Sequence, residues 1–203
     1  KSEVTVEEGL IWPYVNDIDV YRCPTGYPGD MVTYEIMDSM NGRGWQGGRR
    51  VQDKDFVGGP GPCFNADPNR AVQDAYIIRM NEIHSAERRM VFIDEGWITP
   101  DSYAVYYHKE EWWDDPPIRH ADGMTATFAD GSARLWRWEG EGTIEAGIEK
   151  NRNHSGGHYR PEGWADYKDF YRFQIATYGT SCVDPAHGYD PKHPDAAYEA
   201  MWE

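Results

Sequence analysis

A chain of 203 residues with 20 Lys+Arg against 35 Asp+Glu carries a formal charge of −15. Such a charge repels nucleic-acid phosphates and anionic membrane surfaces and attracts divalent cations. Hydrophobic residues make up 39% of the chain, and 14% of it is aromatic, with 9 Trp and 14 Tyr, enough for one sizeable core and for ring-rich contact surfaces besides. No apolar run approaches the ~20 residues of a membrane-spanning helix, so no span is expected within these residues.

In chain order, residues 7–22 read as a short helix or turn that leads, extended, into Cys23. Residues 24–70 are rich in Gly and Pro, which precludes a long regular element there apart from an extended stretch at 32–37. A loop of that size inside a compact domain is usually an interaction or functional surface. Residues 76–83 and 89–93 are strand candidates joined by a tight turn at 84–87, and residues 103–107 are a third. In the run from His120 to Gly131, Met124, Ala126 and Phe128 alternate with Thr125, Thr127 and Ala129, the two-residue period of a strand with two different faces. Asp130-Gly131 then predicts a tight primed turn, and alternation resumes through Trp136 and Trp138 to complete a hairpin over 124–138. Residues 139–163 are polar and Gly-rich. Trp164, Tyr167, Phe170, Tyr171, Gln174, Ile175 and Tyr178 fall at three-and-four spacing, the apolar stripe of a helix that ends at Gly179 and packs on the sheet. Residues 180–203 form a Pro/His/Asp-rich tail with a short helix expected at 195–202.

The spacing of His120, nine residues and then Asp130-Gly131 resembles the C-terminal signature of a large group of prepilin-like proteins, the His-nine-residue-Asp-Gly (prepilin-type processing-associated) family. Three further blocks are similar to segments of that family in the same order. They are Gly9-Leu-Ile-Trp-Pro-Tyr-Val with Asp19-Val-Tyr-Arg-Cys-Pro-Thr, then Ser85-Ala-Glu-Arg-Arg-Met-Val-Phe-Ile-Asp-Glu-Gly, and Asp169-Phe-Tyr-Arg-Phe-Gln-Ile-Ala-Thr-Tyr-Gly. The resemblance implies an α+β fold: an antiparallel, pilin-like sheet with a packed C-terminal helix and long Gly/Pro-rich loops. It implies one domain over residues 1–179 and an inter-subunit arm over 180–203. It further implies a non-enzymatic, pseudopilin-like subunit that assembles with itself into a filament or tube, outside the cytoplasmic membrane or at the cell surface. Such proteins begin with a cleavage site and an apolar helix, whereas this chain opens Lys1-Ser-Glu-Val-Thr-Val-Glu-Glu. Assembly is therefore expected to use other surfaces, with Trp45, Trp112, Trp113, Tyr198 and Trp202 as contact aromatics.

Pseudopilins of this kind can carry structural calcium near their C-terminal loops; the acid-plus-turn clusters here are Asp94/Glu95, Asp114/Asp115, Asp122 and Asp130, of which Asp94, Glu95, Asp122 and Asp130 are the candidate ligands. Hard cations take six to eight oxygens, and no run of acids has the spacing of a helix–loop–helix calcium loop. Of the three cysteines none forms a Cys-x-x-Cys, which excludes zinc-ribbon and thioredoxin readings. In an oxidising compartment the expected disulfide is Cys23–Cys63, both in Pro/Gly turn contexts, against the alternative of three reduced, buried thiols. No nucleophile elbow, phosphate loop, dinucleotide fingerprint or His-Glu-x-x-His occurs. His154 and His158 lie four apart, but the glycines between them oppose a shared helix face. His120 is too far along its strand to meet Asp130 and is expected instead at the strand's far end, bonding either a neighbouring loop or the acidic end of the 89–93 strand, Asp94-Glu95. The competing functional class is a secreted carbohydrate-binding module using exposed rings such as Trp45, Trp97, Trp112, Trp113, Trp136 and Trp138 as stacking platforms.

Overall fold

The computed structural model describes residues 6–26, 29–30, 32–40, 45–46, 49–50, 77, 79–95, 102–106, 110–153 and 158–179. Its centre is a four-stranded antiparallel sheet in the order β1 (Tyr34–Ile36), β4 (Met90–Asp94), β5 (Gly123–Phe128), β6 (Ala133–Arg137). A second, two-stranded ladder joins β2 (Trp45–Gln46) to β3 (Arg49–Arg50). Among the described residues the sheets are accompanied by the α-helices α1 (Trp12–Val15), α2 (Glu141–Asn153) and α3 (Trp164–Tyr178). An antiparallel sheet with helices is the α+β arrangement expected.

The period-two pattern of β5 sends Met124, Ala126 and Phe128 into the core, and β6 buries Trp136 while Leu135 faces solvent. Trp136 and Trp138 meet Phe173 of α3, and Trp112 packs edge-on against Trp138 and Phe170. Trp112, Trp136 and Trp138 are therefore core residues, and neither an assembly surface nor a sugar platform has access to them. Trp113 is half-buried against Tyr106 and His158. The predicted helix spans Trp164–Tyr178 with Gly179 as its left-handed C-cap at φ 78°. Of the predicted stripe, Phe170, Tyr171, Gln174, Ile175 and Tyr178 are buried, Tyr167 is half-buried and Trp164 is exposed, while Phe173, Ala176 and Thr177 are buried besides, because the last turns are enclosed on several sides.

Three local expectations are corrected. Among the described residues of 76–83 no strand forms: Ile77 makes one isolated bridge to Met40, and Met80–Glu82 is a 3-10 turn closed by Arg79 N donating to Glu82 Oε2 at 3.0 Å. Residues 103–106 make bridges at Tyr103 and Val105 without forming a ladder. Asp130-Gly131 is not a two-residue primed turn. Gly131 N donates to the Phe128 carbonyl and Phe128 N to the Ser132 carbonyl, both at 2.9 Å, which leaves a three-residue loop of 129–131. Only Gly131 has positive φ, 86°, while the Asp130 carboxylate accepts from Ser132 N at 2.9 Å and Ser132 Oγ at 2.7 Å. This is the turn-plus-bulge alternative for hairpins with Gly at the left-handed position. A β-carbon at Gly131 meets nothing within 4 Å, so the cost of substitution is purely conformational. Gly131→Val is expected to lose about 1–2 kcal/mol in urea unfolding, and a loss under about 0.5 kcal/mol contradicts the assigned φ.

Helix α2 lies where a polar loop was expected. Its apolar side chains are few, and it is held from outside by acids of α3. Asp166 Oδ1 accepts from Thr143 N at 3.0 Å, and Asp169 Oδ2 accepts from Glu139 N and Gly140 N at 2.9 and 2.8 Å. A β-carbon on Gly140 would run into Asp166, so this close approach requires glycine. The two acids titrate in opposite senses. Burial pushes Asp166 up, but N–H groups of Thr143 and Gly163 outweigh it and hold the carboxyl below its ordinary 3.8. Burial dominates at Asp169 and raises it to about 6, despite the two backbone donors. The contribution of Asp169 is therefore complete below pH 3.8 and is lost as the pH rises through about 6. Wild type is expected to lose about 2–3 kcal/mol from this group between pH 4 and 7, and Asp169→Asn to lack that step. Denaturant midpoints across that range check it, and parallel curves for the two proteins contradict it.

Candidate functional site

Three chain segments that are remote in sequence meet at the end of the sheet where β4 finishes. The first is the approach to β1. A 3-10 turn at Ile18–Tyr21, capped by the Asp17 carboxylate accepting from Asp19 N, delivers Cys23, whose N–H donates to Thr33 Oγ1 at 2.7 Å. The second is Asp94, the last residue of β4, fully buried and paired in register with Tyr34. The third is the turn before β5. His120 N donates to the Gly123 carbonyl at 3.0 Å, and the intervening Ala121 and Asp122 both take positive φ, 52° and 60°. Consecutive left-handed residues are what a primed turn demands, so that geometry occurs here rather than at Asp130-Gly131. Non-glycine residues adopt it at a cost, and such strain persists where the surroundings over-determine it.

The turn aims His120 at Asp94, the acidic strand end, one of the two contacts expected of the motif histidine. His120 Nε2 lies 2.5 Å from Asp94 Oδ2 and 3.8 Å from Cys23 Sγ. Arg119, whose side chain is 8% exposed, donates from Nη1 to Asp94 Oδ1 at 3.0 Å. Thr25 Oγ1 lies 3.1 Å from the Cys23 sulfur. Burial first, and then the Asp94 charge, raises the Tyr34 phenol above its usual value. Nearby, Tyr103 donates to the Asp114 and Asp115 carbonyls at 3.1 and 2.9 Å. Its own burial and the charges of Asp114, Glu95, Asp115 and Glu35 raise its phenol well above the ordinary range.

The Cys23 thiol is free and buried, with Thr25 Oγ1 and His120 Nε2 beside its sulfur. Cys63 lies outside the described residues. The four acids nominated for calcium are not gathered. Asp94 and Glu95 sit at the β1/β4 end of the sheet, while Asp130 is at the far end of the β5/β6 hairpin, where its backbone N–H donates to the Ala86 carbonyl at 3.2 Å. Asp122 is exposed in the turn beside His120. Tyr198 and Trp202, His154, Trp97 and the side chain of Trp45 lie outside what is described. What the residue reading missed was Cys23 as a partner of His120. The signal was present, since the block around Cys23, the block ending at Asp94 and the motif beginning at His120 each supply one member.

The arrangement of the cluster differs from that of a nucleophile relay. In such relays the orienting carboxylate and the nucleophile occupy opposite nitrogens of the imidazole, whereas here one nitrogen, Nε2, faces both. The spacing of the motif is itself structural. One end fixes β5 to the buried terminus of β4 through His120, and the other fixes the hairpin loop to the 3-10 turn Ala86–Arg88 and to Arg89, whose carbonyl accepts from Ala129 N at 2.8 Å. Among the described residues, no helix is long and apolar enough to cross a membrane. No protein-family model matches the chain, and neither a curated protein nor a solved structure does.

Proposed function

We propose that this chain is a non-enzymatic, pilin-like structural subunit that assembles with copies of itself at the cell surface or outside the cell. The observation that carries the reading is the exposed apolar N-terminal segment. Leu10 and Tyr14 are each 90% exposed and Val20 57%, and α1 buries no residue at all. A chain with this much core-forming capacity elsewhere has no folding use for those side chains in water, and clustered exposed apolar residues are the mark of a contact surface. The motif supports the same reading, since both its ends serve intrachain anchoring. The carbohydrate-binding alternative loses Trp112, Trp136 and Trp138 to the core. Structural calcium remains part of the proposal, with Asp130 set apart from Asp94 and Glu95 by the length of the sheet.

Sedimentation velocity of the purified chain and of Leu10→Glu/Tyr14→Glu tests this. The wild type is expected to sediment faster as its concentration rises. The variant is expected to remain monomeric with an unchanged circular dichroism spectrum. Equal association by both proteins removes the N-terminal segment from the interface.

A further inference from the structure

We propose that Cys23, Asp94 and His120 form a binding site for a thiophilic divalent transition-metal ion of the Zn²⁺ class, an inference independent of self-assembly. Their sulfur, carboxylate oxygen and imidazole nitrogen all lie within 4.8 Å of one another, the dimension of a single coordination sphere. A tetrahedral zinc with bonds of about 2.3 Å to sulfur and about 2.0–2.1 Å to nitrogen separates those two ligand atoms by roughly 3.5 Å. Sγ and Nε2 stand 3.8 Å apart. Nε2 and Oδ2 stand 2.5 Å apart, closer than the roughly 3.4 Å of two such ligands on a tetrahedral ion, so binding replaces their mutual hydrogen bond and moves them apart. One ring nitrogen has a single position to share, yet it faces two potential partners, a carboxylate and a thiol. A cation at their meeting point satisfies all three together.

The donor set selects the ion. Calcium and magnesium take oxygen ligands, whereas a thiolate with an imidazole and one carboxylate suits zinc and its neighbours. The surroundings match the outer support that such sites use. Arg119 holds Asp94 Oδ1 and so turns Oδ2 toward the site, and Thr33 fixes the Cys23 backbone. Cys23 and Asp94 are buried, and the His120 side chain is 24% exposed, which leaves an approach from the histidine side. Binding breaks the Cys23 S–H bond and forms the S–metal bond, and the thiol proton leaves to solvent. The Nε2 proton moves to Nδ1 or to solvent. The ion would tie the segment before β1, the end of β4 and the start of β5 into one junction.

The test uses the full chain in a Cys63→Ser/Cys182→Ser background, where Cys23 is the remaining cysteine. Titration with Co²⁺ is expected to produce one thiolate-to-metal charge-transfer band and the intense ligand-field bands of a tetrahedral site, saturating at one ion per chain. Zn²⁺ should bleach both. His120→Gln and Cys23→Ser should each weaken binding by more than the about 10–100-fold that loss of a supporting hydrogen bond costs, and Cys23→Ser should abolish the charge-transfer band. If a variant fails to fold, zinc-edge X-ray absorption of the parent, fitted with one sulfur and nitrogen or oxygen neighbours, decides the matter. No charge-transfer band in the parent, a band that survives Cys23→Ser, or a zinc shell without sulfur overturns the proposal.

Discussion

Trp112→Ala is expected to cost about 3–5 kcal/mol, which for a chain of this size lowers the melting temperature by roughly 10 °C or more. Trp112 is fully buried, and its ring is the hub at which Trp138, Phe170 and Phe173 meet, with centroids 5.6, 5.4 and 5.1 Å away. No side chain beside it is free to fill the space, since its neighbours are rings fixed by one another. Trp112 Nε1 is buried without a hydrogen-bond partner, so part of the gain from burying the indole is offset by desolvating that N–H. Trp112→Phe removes the orphan donor along with some volume and is accordingly expected to cost less than half as much as the Ala variant. Equal losses from the two substitutions, measured by calorimetry, contradict the cavity account.

Asp94→Ala is expected to lose a comparable amount, about 3–5 kcal/mol, by a different route. The carboxylate is fully buried and holds two partners, Arg119 at 3.0 Å and His120 at 2.5 Å. Its removal leaves a guanidinium whose side chain is 8% exposed with an uncompensated charge. The cost therefore arises from what is left behind more than from the bond that is lost. Arg119→Met in the Asp94→Ala background should recover part of the loss, with a coupling of about 1–3 kcal/mol in the double-mutant cycle. Strict additivity of the two substitutions denies the buried pair.

The contrast between these two sites explains how much of the molecule was legible in its sequence. The hairpin and α3 were readable because their signals are local: alternation through Met124, Ala126 and Phe128, and three-and-four spacing closed by Gly179. Strand β4 was readable to within a residue for the same reason. Helix α2 was not, because its N-terminal donors are satisfied by Asp166 and Asp169 from a different helix, and no local pattern records a cap supplied from 23 or more residues away. The turn types were exchanged because sequence favours Gly for positive φ. The fold instead forces Ala121 and Asp122 into that region in order to aim His120. The His120–Asp94 half of the site followed from asking where the far end of a strand must lie. Cys23 joined it from 97 residues away, a closure that no spacing rule expresses.

The central claim is that this is a subunit of an assembly, and electron microscopy of the purified wild-type chain tests it most directly. A charge of −15 opposes association where screening is weak, so the sample belongs near 0.15 M salt, where the Debye length is about 8 Å. Filaments, tubes or helical arrays that increase with protein concentration are the predicted result. Single, monodisperse particles the size of one chain at every concentration contradict it.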